Sequence, residues 1–121
     1  MARRNVDDLV SVFAEDGTLI YPTRGEIKGK TAIREFFNHF LETFPEIDLV
    51  LVNIGVENLF DLIGTNVITT HFFITTTNRK GATFKQEVMQ LIKIRRGKLK
   101  LVHYFFNDTD NLRRAWRESE S

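Results

Sequence analysis

The residue best suited to proton transfer is His103, which lies in the apolar run Leu99–Asn107 close to the C-terminal end of the chain. An imidazole titrates near neutral pH, so a histidine in an apolar pocket is suited to acid–base catalysis. On a strand, His103 shares its parity with Phe105 and Asn107, so all three are predicted to face the same side. If Asn107 points into a pocket, His103 does too. A buried neutral ring or an interface residue remains an alternative for His103.

Other reactive side chains give weaker signals. His71 also lies in the middle of a strand-like run. The three histidines have neither metal-ligand spacing nor a carboxylate at a matching offset, so we predict no metal site. Without cysteine, a thiol nucleophile is excluded, and no serine has a base at a recognisable spacing. Gly29-Lys30-Thr31 resembles the end of a phosphate loop, yet the upstream glycine is missing, so it is interpreted as a helix start. We therefore predict no cofactor.

The chain length, the amino-acid composition and the net charge limit the class of protein. A chain of 121 residues with 42% hydrophobic residues is predicted to form one domain over residues 1–121, with a frayed tail at 118–121. Eleven phenylalanines against one tryptophan and two tyrosines are typical of a Phe-packed core or of a core that surrounds a cavity. The net charge of +1 and basic clusters confined to separate turns predict no nucleic-acid partner. With no cysteine, no signal peptide and no long apolar run, we expect a soluble cytoplasmic protein without a membrane span.

The periodicity of apolar residues changes along the chain. Two helices are expected first, one whose apolar face includes Val6, Val10 and Phe13 and a second over about 31–44, separated by a short strand at 18–21. Strand-like runs follow at 48–56, 67–77, 83–94 and 99–107, with a longer connection at 58–66 and a short charged helix after 110. The turn at 95–98 predicts that the last two strands form a hairpin. This order indicates an α+β fold.

Three of the four long strands carry apolar residues at both parities, as Val50 and Leu51 illustrate. An antiparallel sheet with one solvated face would show polar alternation instead. Since the helices cover only one face, we expect a second copy of the chain to cover the other. The predicted partner is therefore a homodimer that packs sheet to sheet.

Three segments resemble a known superfamily. The run Phe13–Pro22 is similar to the opening of the nuclear transport factor 2-like superfamily, and Gly29–Phe37 is similar to its loop-to-helix signature. Gly97–Asn107 resembles the closing strand of its SnoaL-like branch. The resemblance implies a cone-shaped, curved antiparallel sheet that wraps two or three helices (a cystatin-like roll) around an apolar pocket. Members usually have a longer first helix, so the short one here implies a pocket that is more open or covered by the partner chain.

The superfamily includes isomerases, cyclases, dehydratases and binding modules, so fold does not give function. The resemblance implies that a ketosteroid isomerase would have a catalytic Asp where this chain has Tyr21, whose phenol is a poor base at neutral pH. The second isomerase Asp would fall in Met89-Gln90-Leu91, which contains no acid, so we reject that activity. A SnoaL-type cyclase would have an Asp where Asn107 stands, and Asp108 is better explained as a helix cap.

The sequence thus predicts a SnoaL-like protein whose apolar pocket binds a small cyclic or hydrophobic molecule, and it leaves enzyme or binder open. For an enzyme of the cyclase or isomerase type, His103 would transfer the proton, with Tyr21 and Asn107 orienting a polar atom of the ligand. The alternative is a dimeric, non-catalytic interaction or scaffold module with a Phe-filled cavity. The predicted ligand-binding residues are Tyr21, Phe36, Phe40, His71, Phe105 and Asn107.

Overall fold

A computed structural model describes residues 2–57 and 65–120 as a curved six-stranded sheet with three helices. The elements are α1 (Ala2–Ser11), β1 (Phe13–Tyr21), β2 (Gly25–Lys28), α2 (Lys30–Thr43), β3 (Glu46–Glu57), β4 (Thr65–Thr77), β5 (Thr83–Arg95), β6 (Lys98–Phe106) and α3 (Thr109–Glu120). The strand order is β2-β1-β6-β5-β4-β3, antiparallel throughout except for the parallel pair β1–β6. The predicted α+β class, with a cone-shaped sheet and a short first helix, is confirmed.

Several predicted boundaries differ from those in the structure. Phe13 begins β1 instead of continuing the first helix, and the predicted loop after Pro22 contains the short edge strand β2. The last helix continues through Glu120, so residues 118–120 are helical and the frayed tail is wrong there, while Ser121 lies outside the described residues. Of the predicted connection at 58–66, residues 58–64 also lie outside them, and the last two residues belong to β4.

Helix α2 forms where apolar residues recur at helical spacing, and it ends just before Pro45. Its N-terminal neighbour Gly29 has a φ of 87°, a left-handed conformation that favours glycine. Ile33 and Phe36 are buried against the sheet, and Phe37 and Phe40 pack beside them. The helix therefore presents an aromatic stripe to the inner face of the sheet.

The hairpin of β5 and β6 follows the prediction but contains a bulge. Arg96 has a φ of 53° and Gly97 a φ of 76°. A type I′ turn needs two such positive angles in succession. Ile94 lies opposite Leu99, yet Lys93 lies opposite Leu101, so Lys100 is an extra residue. A single extra residue exchanges the two faces of everything beyond it.

Helix α3 closes one end of the sheet. The backbone N–H of Asn111 donates to Asp108 Oδ1 at 3.0 Å, which confirms Asp108 as the cap of this helix. Leu112, Ala115 and Trp116 are buried in the core. The inner side of the sheet thus faces α2 and α3 together.

Candidate ligand-binding cavity

A cavity of about 510 Å³ lies between the inner face of the sheet and helices α1, α2 and α3. Its volume is within the range of about 300–1,000 Å³ found for small-molecule sites. Aromatic side chains from both helices and strands form much of its wall: Tyr21, Phe36, Phe37, Phe40, Phe44, Phe72, Tyr104, Phe106 and Trp116. We call this space the main cavity.

Strand alternation decides which residues reach the main cavity. Thr70, Phe72 and Ile74 of β4 face inward together, and their neighbours on β5 include Gln86 and Gln90. On the edge strand β3, Ile47, Leu49 and Leu51 line the same space while remaining exposed. The main cavity is therefore bounded along β3 by side chains that solvent also reaches.

One polar group in the main cavity is a row of side chains across three strands. The Thr70 hydroxyl donates to Gln90 Oε1 at 2.9 Å, and Gln90 lies opposite Tyr104 in the ladder. Burial raises the pKa of Tyr104 to about 12, although a side-chain hydrogen bond with Gln90 acts in the opposite direction. Tyr104 is consequently a neutral phenol at physiological pH.

Tyr21 supplies a second polar atom. The Trp116 indole N–H donates to the Tyr21 hydroxyl oxygen at 3.0 Å, and because an indole is only a donor, the phenol keeps its own proton to donate elsewhere. Burial raises the pKa of Tyr21 well above its ordinary value, and the bond from Trp116 opposes that rise only in part. Tyr21 is thus held as a neutral hydrogen-bond donor.

The third polar group is the amide of Gln86, on the inner face of β5. The residue is only 4% exposed, and neither Nε2 nor Oε1 has a hydrogen-bond partner among the described residues. It lies opposite Ile74 and beside Val88, both of which line the main cavity. A buried amide left without partners is uncommon in folded proteins.

The wall of the main cavity carries no formal charge. Within the described parts of the chain, no Asp, Glu, Lys, Arg or His lines it, and no three His, Asp or Glu side chains form a metal-binding group anywhere. Bringing an unpaired charge into such a site is costly. The arrangement suits a neutral, mainly apolar molecule that offers a few hydrogen-bonding atoms.

Comparison with known proteins agrees with this architecture. The model of the SnoaL-like domain matches residues 1–102. The chain belongs to the SnoaL-like domain family. The resemblance noted in the sequence is thereby confirmed, and the match ends within β6, before helix α3. No curated protein matches this SnoaL-like domain in sequence.

Solved structures share the fold at low sequence identity. A nuclear transport factor 2-like protein of unknown function from Burkholderia pseudomallei is 16% identical, with a TM-score of 0.74, over 93% of this chain and 86% of that one. ActVI-ORFA from Streptomyces coelicolor is 16% identical, with a TM-score of 0.70, over 86% of this chain and 84% of that one. The orange carotenoid protein of Anabaena, solved with canthaxanthin, is 24% identical, with a TM-score of 0.71, over 89% of this chain and 33% of that one.

The structure separates the predicted site residues into two groups. Tyr21, Phe36 and Phe40 line the main cavity of the SnoaL-like domain. His103 and Phe105 do not, and their rings stack 4.0 Å apart on the opposite, outer face of the sheet. The predicted placement of His103 in the pocket is wrong because the bulge at Lys100 turns Tyr104 and Phe106 inward instead.

His71 and Asn107 also lie away from the main cavity. His71 alternates with Thr70 and Phe72, and its Nε2 lies 2.6 Å from Glu87 Oε2, within hydrogen-bond distance, on the outer face. Asn107 follows the end of β6 and lines a separate pocket of about 280 Å³ between the first half of β5 and the start of α3. We call this second space the β5–α3 pocket. Neither residue is placed to touch a ligand in the main cavity.

Sequence reasoning missed Gln86, Gln90 and Tyr104. A usable signal lies in β5, where the charged residues Lys85, Glu87 and Lys93 share one parity and both glutamines share the other with Phe84, Val88 and Ile92. Charged residues mark the outer face, so the glutamines had to point inward. The inward direction of Tyr104 can be predicted from that of the glutamines only when the bulge in β6 is known.

No helix in residues 2–57 and 65–120 is long and apolar enough to cross a membrane. Basic side chains at the ends of the strands make local ion pairs, as between Lys100 and Asp16. The hydrogen bond and charge of Lys100 lower the pKa of Asp16. These surface contacts are remote from the main cavity.

Proposed function

We propose that this SnoaL-like domain binds a small, neutral, cyclic or hydrophobic molecule in the main cavity. The observation that supports the proposal is an apolar space of about 510 Å³ whose wall includes the polar residues Tyr21, Gln90 and Tyr104. Such a combination is typical of small-molecule sites. The canthaxanthin bound by the orange carotenoid protein, a neighbour of similar fold, supports an apolar ligand for this chain as well. The phenylalanines line the space, which argues against a Phe-filled scaffold.

The chemistry of the wall favours a binding role over acid–base catalysis. Both cavity phenols have raised pKa values, so at neutral pH they donate hydrogen bonds and exchange no proton with a ligand. We propose that Tyr21 donates its free proton to a carbonyl or hydroxyl oxygen of the ligand. Phe36 and Phe40 then supply the apolar contacts.

A thermal-shift screen against steroids, terpenoids and aromatic polyketides tests this function. A ligand at about one hundred times its Kd stabilises the fold by roughly 2.7 kcal/mol. Ile74→Trp, which fills the main cavity from β4, should abolish the shift. Thr75→Trp adds the same ring one residue away on the outer face and should leave the shift intact. Equal shifts with both variants would rule out the main cavity as the binding site.

A second candidate function is assembly through the outer face of the sheet. Val50 is 57% exposed there, Met89 52% and Phe105 48%. Large apolar side chains grouped on one exposed sheet face are unusual in a monomer. We propose a homodimer in which two outer faces pack together. Such a dimer leaves the main cavity of each copy on the far side of its sheet, so assembly and ligand binding are compatible.

The compartment that we infer is the cytoplasm. The absence of cysteine from all 121 residues is consistent with a reducing compartment, where disulfides are rare. Cell fractionation with an antibody against the chain measures this directly. Recovery in a membrane or secreted fraction would contradict the inference.

A further inference from the structure

A row of polar side chains across the inner face of the sheet carries an inference about the ligand, and it rests on the proposed binding function. We propose that Tyr104, oriented by Gln90, donates a hydrogen bond to a carbonyl oxygen of the ligand. The ligand class is then a neutral ring system that bears a ketone or another carbonyl group, in preference to the corresponding alcohol.

Thr70, Gln90 and Tyr104 lie directly opposite one another on the adjacent strands β4, β5 and β6, and we call them the polar row. The two inner-face rows beside it are apolar at all six positions: Phe72, Val88 and Phe106 on one side, and Ile68, Ile92 and Val102 on the other. Polar groups in such a wall cost free energy unless they are hydrogen-bonded. The polar row thus marks a place where a hydrogen bond can orient a ligand in an otherwise apolar surrounding.

A ligand in the main cavity can reach the polar row. All three of its side chains line the main cavity and are partly exposed. Side chains stand roughly perpendicular to a sheet, so the hydroxyl is the part of Tyr104 that extends furthest from β6. The Tyr104 ring lies edge-on to Tyr21, with 5.6 Å between ring centres, and stacks with Phe106 at 6.4 Å. These contacts fix the position of the ring before a ligand binds.

The hydrogen bonds of the polar row run in one direction. The Thr70 hydroxyl donates to Gln90 Oε1 at 2.9 Å, so the amide turns its Nε2 away from Thr70 and toward Tyr104. The hydrogen bond with Gln90 opposes the rise in the pKa of Tyr104, as a donor to the phenol oxygen does. Within residues 2–57 and 65–120 no other hydrogen bond involves Tyr104. The phenol therefore keeps its own proton for a ligand.

A carbonyl oxygen is the complement of this proton. It accepts hydrogen bonds and brings no proton of its own, whereas an alcohol brings a proton that needs an acceptor. Thr70 is two strand spacings from Tyr104, about 9–10 Å, and Gln90 Oε1 is turned toward Thr70. An alcohol bound at Tyr104 consequently finds no acceptor in the polar row, and its unpaired proton weakens binding.

Three probes with the same arrangement of heavy atoms test the proposal: 2-acetylnaphthalene, 1-(2-naphthyl)ethanol and 2-isopropylnaphthalene. Their Kd values are measured by calorimetry on the full chain. We expect the ketone to bind about tenfold more tightly than the alcohol. Equal affinities for ketone and alcohol would overturn the proposal on the wild-type chain alone. Tighter binding of the alcohol would also overturn it, and would indicate a reversed Gln90 amide whose Oε1 takes the Tyr104 proton.

Tyr104→Phe removes the proton and keeps the ring. The affinity for the ketone should fall about tenfold, while the Kd of the hydrocarbon, which reports an intact cavity, stays the same. The infrared C=O stretch of bound 2-acetylnaphthalene should move to higher wavenumber, because its hydrogen bond is lost. Thr75→Val removes a hydroxyl from the outer face and is the control that should leave both measurements unchanged. A C=O stretch identical in wild type and Tyr104→Phe would contradict the contact.

Gln90→Met tests the positioning role of the amide, since it keeps an unbranched side chain of similar length without polar atoms. The Tyr104 oxygen is then free to accept a hydrogen bond from an alcohol. We expect the tenfold preference for the ketone to fall to near parity, with hydrocarbon binding retained. A preference that persists in full would show that Gln90 does not orient Tyr104 and would overturn that part of the proposal.

The same measurements separate this proposal from the binding function. If none of the three probes binds and the wider screen is also negative, the binding function itself fails. If the hydrocarbon binds but Tyr104→Phe changes neither the ketone affinity nor the C=O stretch, the binding function stands and the role of Tyr104 is wrong.

Discussion

The two tyrosines of the chain both contact the main cavity, which makes them reporters of its integrity. Below pH 10 both phenols are neutral in the folded and the unfolded chain, so they do not change stability with pH. Above pH 10 the unfolded chain loses these protons while the folded chain keeps them, because burial raises both pKa values. The free energy of unfolding should therefore fall as the pH rises toward 12.

Tyrosinate absorbance and circular dichroism, followed together in an alkaline titration, measure this effect. Both signals should change in one step well above pH 10, with little tyrosinate in the folded protein before it. Full tyrosinate absorbance near pH 10 with unchanged circular dichroism would show that the phenols are solvated.

Tyr21→Phe removes the hydroxyl that accepts the indole N–H of Trp116. Because the indole donor is buried, its loss of a partner should cost about 1–2 kcal/mol in the free energy of unfolding, measured with urea. The same variant should weaken binding of a carbonyl-bearing ligand while leaving hydrocarbon ligands unaffected. Ile20→Val, a neighbour on the other face of β1, is the control for β1 and should leave carbonyl binding unchanged.

The position of a residue in the cavity wall could be predicted where its helix or strand was simple to read. Tyr21, Phe36 and Phe40 lie where a strand end and a helical stripe directed them. His103 was misplaced because both parities of β6 are apolar, and hydropathy alone does not distinguish them. The face of a strand in a hairpin is fixed by its register, and one bulged residue is invisible to periodicity.

At the scale of elements, helix α3 contributes to the cavity wall and lies wholly beyond the residues that the family model matches. Trp116 is buried among Tyr21, Phe40 and Phe44, with the Arg24 guanidinium 5.0 Å from its ring centre. Trp116→Ala should destabilise the fold by about 3–5 kcal/mol, because a large buried side chain leaves a cavity. Chemical denaturation monitored by circular dichroism measures the loss.

Arg113→Ala is the control on the exposed side of the same helix, where its ion pair with Asp110 is worth little. It should change the free energy of unfolding by less than about 0.5 kcal/mol. Equal small effects of the two variants would mean that α3 does not close the cavity. Trp116 is the single tryptophan of the chain, so its fluorescence also reports ligand entry.

The side-chain contacts at the end of α3 could not be predicted from the sequence. Burial raises the pKa of Glu120, but hydrogen bonds from His39 and Arg24 outweigh burial and hold it below its ordinary value. These partners lie 81 and 96 residues away in the chain, so no local pattern indicates them. Helix and strand types followed from periodicity, whereas the helical 118–120 segment makes such long-range contacts and β2 forms by pairing with the neighbouring strand β1.

At the scale of the whole molecule, the proposed homodimer depends on the outer face of the sheet. Met89 lies between His71 of β4 and Phe105 of β6 and is half exposed in the single chain. A two-fold interface whose axis passes close to Met89 would place each Met89 near its own copy in the partner. A charge there would be buried twice, and the two charges would repel each other.

Met89→Lys should therefore convert a dimer into a monomer, with little change in the stability of the isolated chain, because Met89 contributes mostly exposed surface to it. Light scattering at about tens of micromolar measures the mass of both proteins, since assembly follows mass action. Thr83→Lys, an exposed position at the start of the same strand, is the control and should stay dimeric. A wild-type chain that is monomeric at this concentration would refute the dimer and leave the exposed apolar face to another partner.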